Sequence, residues 1–194
     1  MLLTRDGSPL TVRPIVPGDA PALVALHARL SGETVLRRYF GPRPQLAPSM
    51  VARFTDVREE WRFALVAVRE PGDLVAVARY EGGPGEPAAE IALVVDDALQ
   101  RSGDGRALLL RLVDVAVLRG IESFVADVLA VNTPMIGLLR GLGLPSRSVL
   151  EGSALVVTLD LRGVELDAQR ADRARRHIAR ASVLRSGAPR PPVV

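Results

Sequence analysis

The chain contains no cysteine and no lysine. Without cysteine it can form no disulfide, no thiolate metal site and no cysteine nucleophile. Without lysine it has no Gly-Lys-Ser/Thr phosphate loop, and it cannot be its own lysine substrate. All 25 basic residues are therefore arginine. Together with the abundant alanine, glycine and proline, that reads as genome composition rather than chemistry. Aromatic residues make up only 4%, so a core must be built mainly from Leu, Val and Ala. No apolar run is long enough to span a membrane. The opening Met1-Leu-Leu-Thr-Arg-Asp6 lacks a basic region ahead of a long apolar stretch. A soluble, cytoplasmic protein with no membrane partner is expected.

What is present suits one sizeable core. Hydrophobic residues are 48% of 194, enough for a single domain over residues 1–162 with a tail over 163–194. The net charge is only +3, and part of the basic excess belongs to that tail. This is poor support for a nucleic-acid partner. Residues 165–180 are charged and arginine-rich and read as a helix, solvated or docking another subunit as in a homodimer. Ser186-Gly-Ala-Pro-Arg-Pro-Pro192 has a disordered composition.

The chain is organised around Glu90 to Gly105. Ile91 to Val95 is a continuous apolar run rich in β-branched residues, which suits a buried strand. Asp96 and Asp97 end it. Gly103 and Gly105 follow, then Ala107 to Leu118 with apolar residues at helical spacing and a stop at Gly120. Strand, glycine-bearing turn and helix in that order present backbone N–H groups at a helix N-terminus, where the dipole favours an anion such as a pyrophosphate. The glycines would let it approach the backbone. The alternative is a tight turn with no ligand. No G-x-G-x-x-G is present; the pattern is Gln100-x-x-Gly103-x-Gly105.

That pattern, behind Ala89-Glu-Ile-Ala-Leu-Val-Val-Asp96, resembles the acetyl-CoA motif Q/R-x-x-G-x-G/A of the GNAT N-acetyltransferase superfamily. Asp127 to Asn132 and Pro134 to Gly143 are similar to its next strand and helix. Val12 to Asp19, Leu30 to Thr34 and Arg38 to Pro44 resemble one branch, the GNAT domain of bacterial protein lysine acetyltransferases. The resemblance covers residues 10–161. It implies an α/β (mixed α+β) fold with a central mixed sheet of about seven strands and helices on both faces. It also implies acetyl-CoA as co-substrate, no metal, and an amine acceptor, either a protein lysine or a small molecule.

The resemblance distributes roles along this sequence. The pyrophosphate falls on the amides of Arg101, Ser102, Gly103, Asp104, Gly105 and Arg106, following Gln100, with Arg101 and Arg106 adding charge or facing solvent. The pantetheine runs along Leu93, Val94 and Val95, and a splayed strand end offers an N–H to the thioester oxygen. Asn132 contacts the cofactor arm. Glu90 matches the glutamate that serves as base in the lysine-acetylating branch, acting directly or through water; a carboxylate at the mouth of an apolar cleft suits that task. The alternative for Glu90 is an ordinary solvent-facing strand residue. With no cysteine to carry the acetyl group, transfer is direct, in a ternary complex. Two departures favour an alternative function, a non-catalytic acyl-CoA-binding regulatory module. Asp104 stands where the family has an aliphatic residue and would repel a pyrophosphate. Residues 133–145 hold no tyrosine to protonate the leaving thiolate.

Elsewhere the chain reads as strands around an Asp6-Gly7 turn, then a helix over 22–30 with Asp19 as N-cap. His27 is read as structural. A second helix over 31–40 starts at Ser31 or Thr34, and a short one covers 48–54. Arg37, Arg38, Arg43, Arg53, Arg58 and Arg62 make either a basic rim to the acceptor cleft or a solvated surface. Trp61 faces substrate or edges the core. Two hairpins, over 63–80 and 148–161, flank the central unit, and the strand at 121–129 runs parallel to the central one because a whole helix separates them.

Overall fold

β-branched runs become strands and leucine-spaced segments become helices along nearly the whole chain. In chain order these are β1 (Leu2–Leu3), β2 (Pro9–Pro14), α1 (Ala20–Arg29), α2 (Gly32–Tyr39), α3 (Pro48–Thr55), β3 (Arg62–Arg69) and β4 (Asp73–Gly82). There follow β5 (Ala88–Val95), α4 (Asp104–Leu118), β6 (Ser123–Leu129), α5 (Thr133–Arg140), β7 (Ser146–Glu151), β8 (Ala154–Asp160) and α6 (Ala168–Gly187). The structure is a computed structural model that describes residues 2–3, 7–57 and 60–187, with the backbone alone for Leu3 and 184–187. The expected turn residue Asp6, Arg58 of the arginine rim and the tail beyond 187 lie outside the described residues.

The strands form one sheet in the order β1-β2-β3-β4-β5-β6-β8-β7. This is the expected mixed sheet with the two-residue β1 added at one edge. Every pairing is antiparallel except β5 with β6. That exception follows from the α4 crossover between them. The last hairpin folds back so that β8, not β7, lies beside β6.

Helices cover both faces. On one, α4 and α5 pack with the small residues of α6 against Phe63, Leu65, Tyr80, Ile91, Leu93 and Phe124. On the other, Leu23 and Leu26 of α1 and Val51 of α3 pack with Val66, Leu74 and Val77. Side-chain alternation along β5 divides it between them. Ala89, Ile91 and Leu93 belong to the α4 face, so Glu90, Ala92 and Val94 turn to the α2 face.

Two expectations change. Asp19 does not cap α1 with its side chain. Its carboxylate instead accepts from Arg13 at 2.6 and 2.7 Å and from the Val16 N–H at 2.8 Å, which ties the helix entry to β2 and holds the Arg13 guanidinium above its usual pKa, the Asp19 hydrogen bond being the main cause. The segment after 163 is not a solvated tail where it is described. Helix α6 lies on α4 with Ala171, Ala174, His177 and Ala181 buried. Asp114 of α4, only 1% exposed, pairs with Arg170 at 2.7 Å and Arg173 at 3.0 Å. Small side chains let the helices approach closely, and the arginines fringe the seam.

Candidate active site

Strands β5 and β6 begin as partners and then part. They pair only at Ala88–Ser123, Ala89–Phe124 and Glu90–Val125. Beyond that point β5 continues to Val95 against β4 alone, and β6 continues to Leu129 against β8 alone. On the open side of β5, alternate N–H and C=O groups have no strand to meet. The gap is the floor of a cleft of about 950 Å³. Its walls include Leu93, Val94 and Val95 of β5, Leu109 of α4, Leu138 of α5, and Arg37 and Arg38 of α2.

The turn between β5 and α4 closes one end. Asp96 opens it, accepting from the Ala98 N–H at 3.1 Å. Asp97 then collects hydrogen bonds from the Ser31 N–H at 2.7 Å, the Thr34 hydroxyl at 2.5 Å and the Gln100 amide at 2.9 Å. Burial pulls the Asp97 carboxyl up, but the hydrogen bonds from Thr34, Ser31 and Gln100 outweigh it and hold it below the usual range. This clamp fixes the start of α2 against the turn.

Past the clamp, Arg101 and Gly103 take left-handed backbone, at φ 64° and 96°. That turns the chain so that α4 starts at Asp104 with its first N–H groups outside the helix ladder. Gly105 packs closely: a Cβ there would meet Leu93 and Val95 at 3.2 Å, tighter than ordinary contact. The turn thus lies directly on β5 at the end of the gap.

The proposed site residues separate on inspection. Glu90, Leu93, Val94, Val95, Gln100, Arg101, Gly103, Gly105, Arg106 and Asn132 all line the cleft. Ser102 and Asp104 are not part of that lining. Asp104 is 4% exposed, and an oxygen of its carboxylate lies 2.5 Å from Ser102 Oγ. The carboxylate is thus engaged within the turn rather than in the cleft lining. Gln100 spends its side-chain amide on Asp97, Thr34 and the Val95 carbonyl. Arg106 donates to the Gly141 carbonyl at 2.9 Å, which bolts α4 to the end of α5. Asn132, 8% exposed, caps α5 by accepting from the Met135 N–H at 3.3 Å. Its amide N–H₂ is the end it can offer the cleft.

Glu90 stands where the strands part, on the α2 face, and is exposed rather than enclosed by apolar walls. Sequence reading passed over two further carboxylates in the lining, Asp127 of β6 and Glu151 of β7, both exposed. It also passed over Tyr39 of α2 in the lining. Burial raises the Tyr39 hydroxyl pKa, against the pull of Arg38, Arg43 and Arg79. His27 is structural as expected, buried under Tyr39 with Nε2 at 2.8 Å from the Arg43 carbonyl. Trp61 is half-buried outside the cleft. Among the described residues no His, Cys, Asp and Glu cluster could hold a metal ion, and no helix is long and apolar enough to cross a membrane.

A gap between two strands, ended by a glycine turn at a helix start, fits a long ligand with an anionic middle and an extended, hydrogen-bonding arm. Comparison with known proteins agrees. Residues 33–144 match the family model described as Acetyltransferase (GNAT) family. The GNAT domain of S. lividans PAT is 33% identical, with a TM-score of 0.76, over 82% of this chain and 94% of that one. A cAMP-binding acyltransferase from Mycobacterium smegmatis shares the fold at 24% identity and a TM-score of 0.66, over 95% of this chain and 55% of that longer one. The yncA protein of Salmonella typhimurium, solved with its cofactor acetyl-CoA, shares it at 22% identity and a TM-score of 0.64, over 82% of this chain and 98% of that one. The chain belongs to the GNAT acetyltransferase family, enzymes that transfer an acyl group from acetyl-CoA to an amine.

Proposed function

We propose that this enzyme acetylates the side-chain amine of a protein lysine, by direct transfer within a ternary complex, with Glu90 as general base. The observation that carries the reading is the position of Glu90 at the point where β5 and β6 separate, lining the cleft together with Arg37, Arg38 and Tyr39 of α2. The turn from Gln100 to Arg106 would hold the pyrophosphate on its backbone amides, with Arg101 adding charge. The arm would lie along Leu93, Val94 and Val95 and take the place of the missing strand. An amine entering from the α2 face meets Glu90 before it meets the thioester. Glu90 takes a proton from the ammonium, the amine attacks the carbonyl, and a β5 N–H supports the oxyanion. The bond to sulfur breaks, and coenzyme A leaves as the thiolate or takes a proton from water. The 33% identity to the GNAT domain of S. lividans PAT, a protein acetyltransferase, supports the choice of a protein acceptor.

The test is steady-state acetylation by wild type and Glu90→Gln with lysine peptides and small amines. Loss of a general base costs on the order of 10²–10⁴-fold. The expected result is that loss in kcat for Glu90→Gln, with acetyl-CoA affinity unchanged. Near-full turnover by the variant would remove Glu90 from the mechanism. Faster turnover of small amines than of every lysine peptide would reassign the acceptor.

A further inference from the structure

The face of the sheet that carries Glu90 is crossed by a charged row. Arg62 of β3 lies opposite Glu81 of β4, and Glu81 lies opposite Glu90 of β5. Directly opposed residues share a face about 5 Å apart. Glu81 is already occupied: it pairs with Arg53 at 2.6 Å, Arg62 at 2.9 Å and Arg79 at 3.5 Å. Arg79 is held beneath this group, its side chain 8% exposed, with its guanidinium 4.4 Å from the centre of the Phe54 ring.

Arg38 stands beside this row without such a pair among the described residues. It lines the cleft with Glu90, and its guanidinium stands 5.0 Å from the centre of the Tyr39 ring. Among the described residues no carboxylate lies within ion-pairing distance of it. Its neighbour Arg37 is paired along the helix with Glu33 at 2.6 Å. Burial lowers the Arg38 pKa, and Tyr39 and Glu90 only partly oppose that. Arg79, pushed down to about 10 chiefly by burial, with Glu81 opposing, is lowered further by the charge of Arg38. An unpaired guanidinium among other cations, half out of water, is an unfavourable arrangement that an anion would relieve.

The opposite wall has the other sign. Asp127 and Glu151 line it, both exposed. Between the walls stands Glu90. An acceptor matched to this mouth carries its ammonium toward Glu90 and Asp127 and a negative group toward α2.

Resting on the function proposed above, we infer that Arg38 recognises a carboxylate on the acceptor, so that the preferred substrate is an amine with a carboxylate nearby, such as a lysine flanked by Asp or Glu. The guanidinium fork takes a carboxylate by two parallel hydrogen bonds. This contact sets which lysine is chosen and does no bond-making.

The experiment uses the full chain, saturating acetyl-CoA and paired lysine peptides differing only in Glu against Gln beside the lysine, together with a small amino acid and its amide. For wild type the carboxylate member of each pair is expected to have a kcat/KM higher by about tenfold or more, mostly through KM, which corresponds to about 1.4 kcal/mol. Arg38→Gln should abolish the ratio, and Arg38→Glu should reverse it toward an Arg-flanked peptide. Acetyl-CoA affinity of each variant serves as the folding control. Equal kcat/KM for paired substrates in wild type would overturn the inference and leave the proposed function standing. A preference that survives in Arg38→Gln would overturn it as well. Acetyl-CoA binding with no turnover of any lysine peptide would overturn the proposed function, and the inference with it.

Discussion

Gly103 and Asp104 are neighbours with opposite sensitivities. Gly103 sits at φ 96°, where a Cβ is strained, so Gly103→Ala should cost about 1–2 kcal/mol. It should also weaken acetyl-CoA binding, because the turn would open. Thermal unfolding and calorimetry on the variant check both. Asp104 is turned into the loop toward Ser102. Asp104→Leu should therefore leave acetyl-CoA affinity within about threefold, on the order of 0.6 kcal/mol; a large gain would show that its charge reaches the phosphates. Residues of this kind were only partly legible in the sequence. Glu90, Gly103, Gly105 and Asn132 sit in an ordered pattern along the chain, and each lines the cleft. Asp104 stood in the same pattern, but its direction depends on a side-chain hydrogen bond that spacing does not encode. Asp127 and Glu151 reach the cleft through the register of β6, β8 and β7, which no local motif announces.

Helix α6 shows the same limit at the level of elements. Its arginines suggest a solvated segment, yet Ala171, Ala174, His177 and Ala181 form a buried stripe at helical spacing. The stripe is made of small residues, which carry a weak hydrophobic signal. His177 in that stripe has no hydrogen-bond partner at either ring nitrogen among the described residues. Burial, helped by Arg111, Arg180 and Arg173, pushes its pKa down to about 4. The folded state therefore holds fewer protons than the unfolded one between about pH 4 and the ordinary His value near 6.5. The stability tied to neutral His177 is full above that window and is lost as pH falls through it, at most about 3 kcal/mol. His177→Leu should flatten this part of the pH–stability curve relative to wild type, measured by urea unfolding. An undiminished acid loss in the variant would place the effect elsewhere. Asp114→Ala should cost about 2 kcal/mol, below the range for a fully buried pair because Arg170 and Arg173 can still reach water. Strands and helices on the sheet itself were the easy part: long apolar runs, capped by Ser31 or stopped by glycine, gave them away within a few residues.

At the scale of the molecule, the parted strands carry the proposed function. One parallel pairing in an otherwise antiparallel sheet, enforced by the α4 crossover and ending at Glu90, leaves β5 from Ile91 to Val95 without a partner on one side. Acetyl-CoA should complete it. A ligand that binds only the folded state stabilises it by about 2.7 kcal/mol at 100 times its Kd, so a rise in unfolding temperature of roughly 5–10 °C is expected for a chain this long. The most direct test is backbone hydrogen exchange, followed by mass spectrometry, with and without saturating acetyl-CoA. The account predicts new protection confined to two stretches: the amides of residues 101–106 and the open side of β5 from Ile91 to Val95. Protection elsewhere on the sheet, or none in these two stretches at saturation, would contradict it.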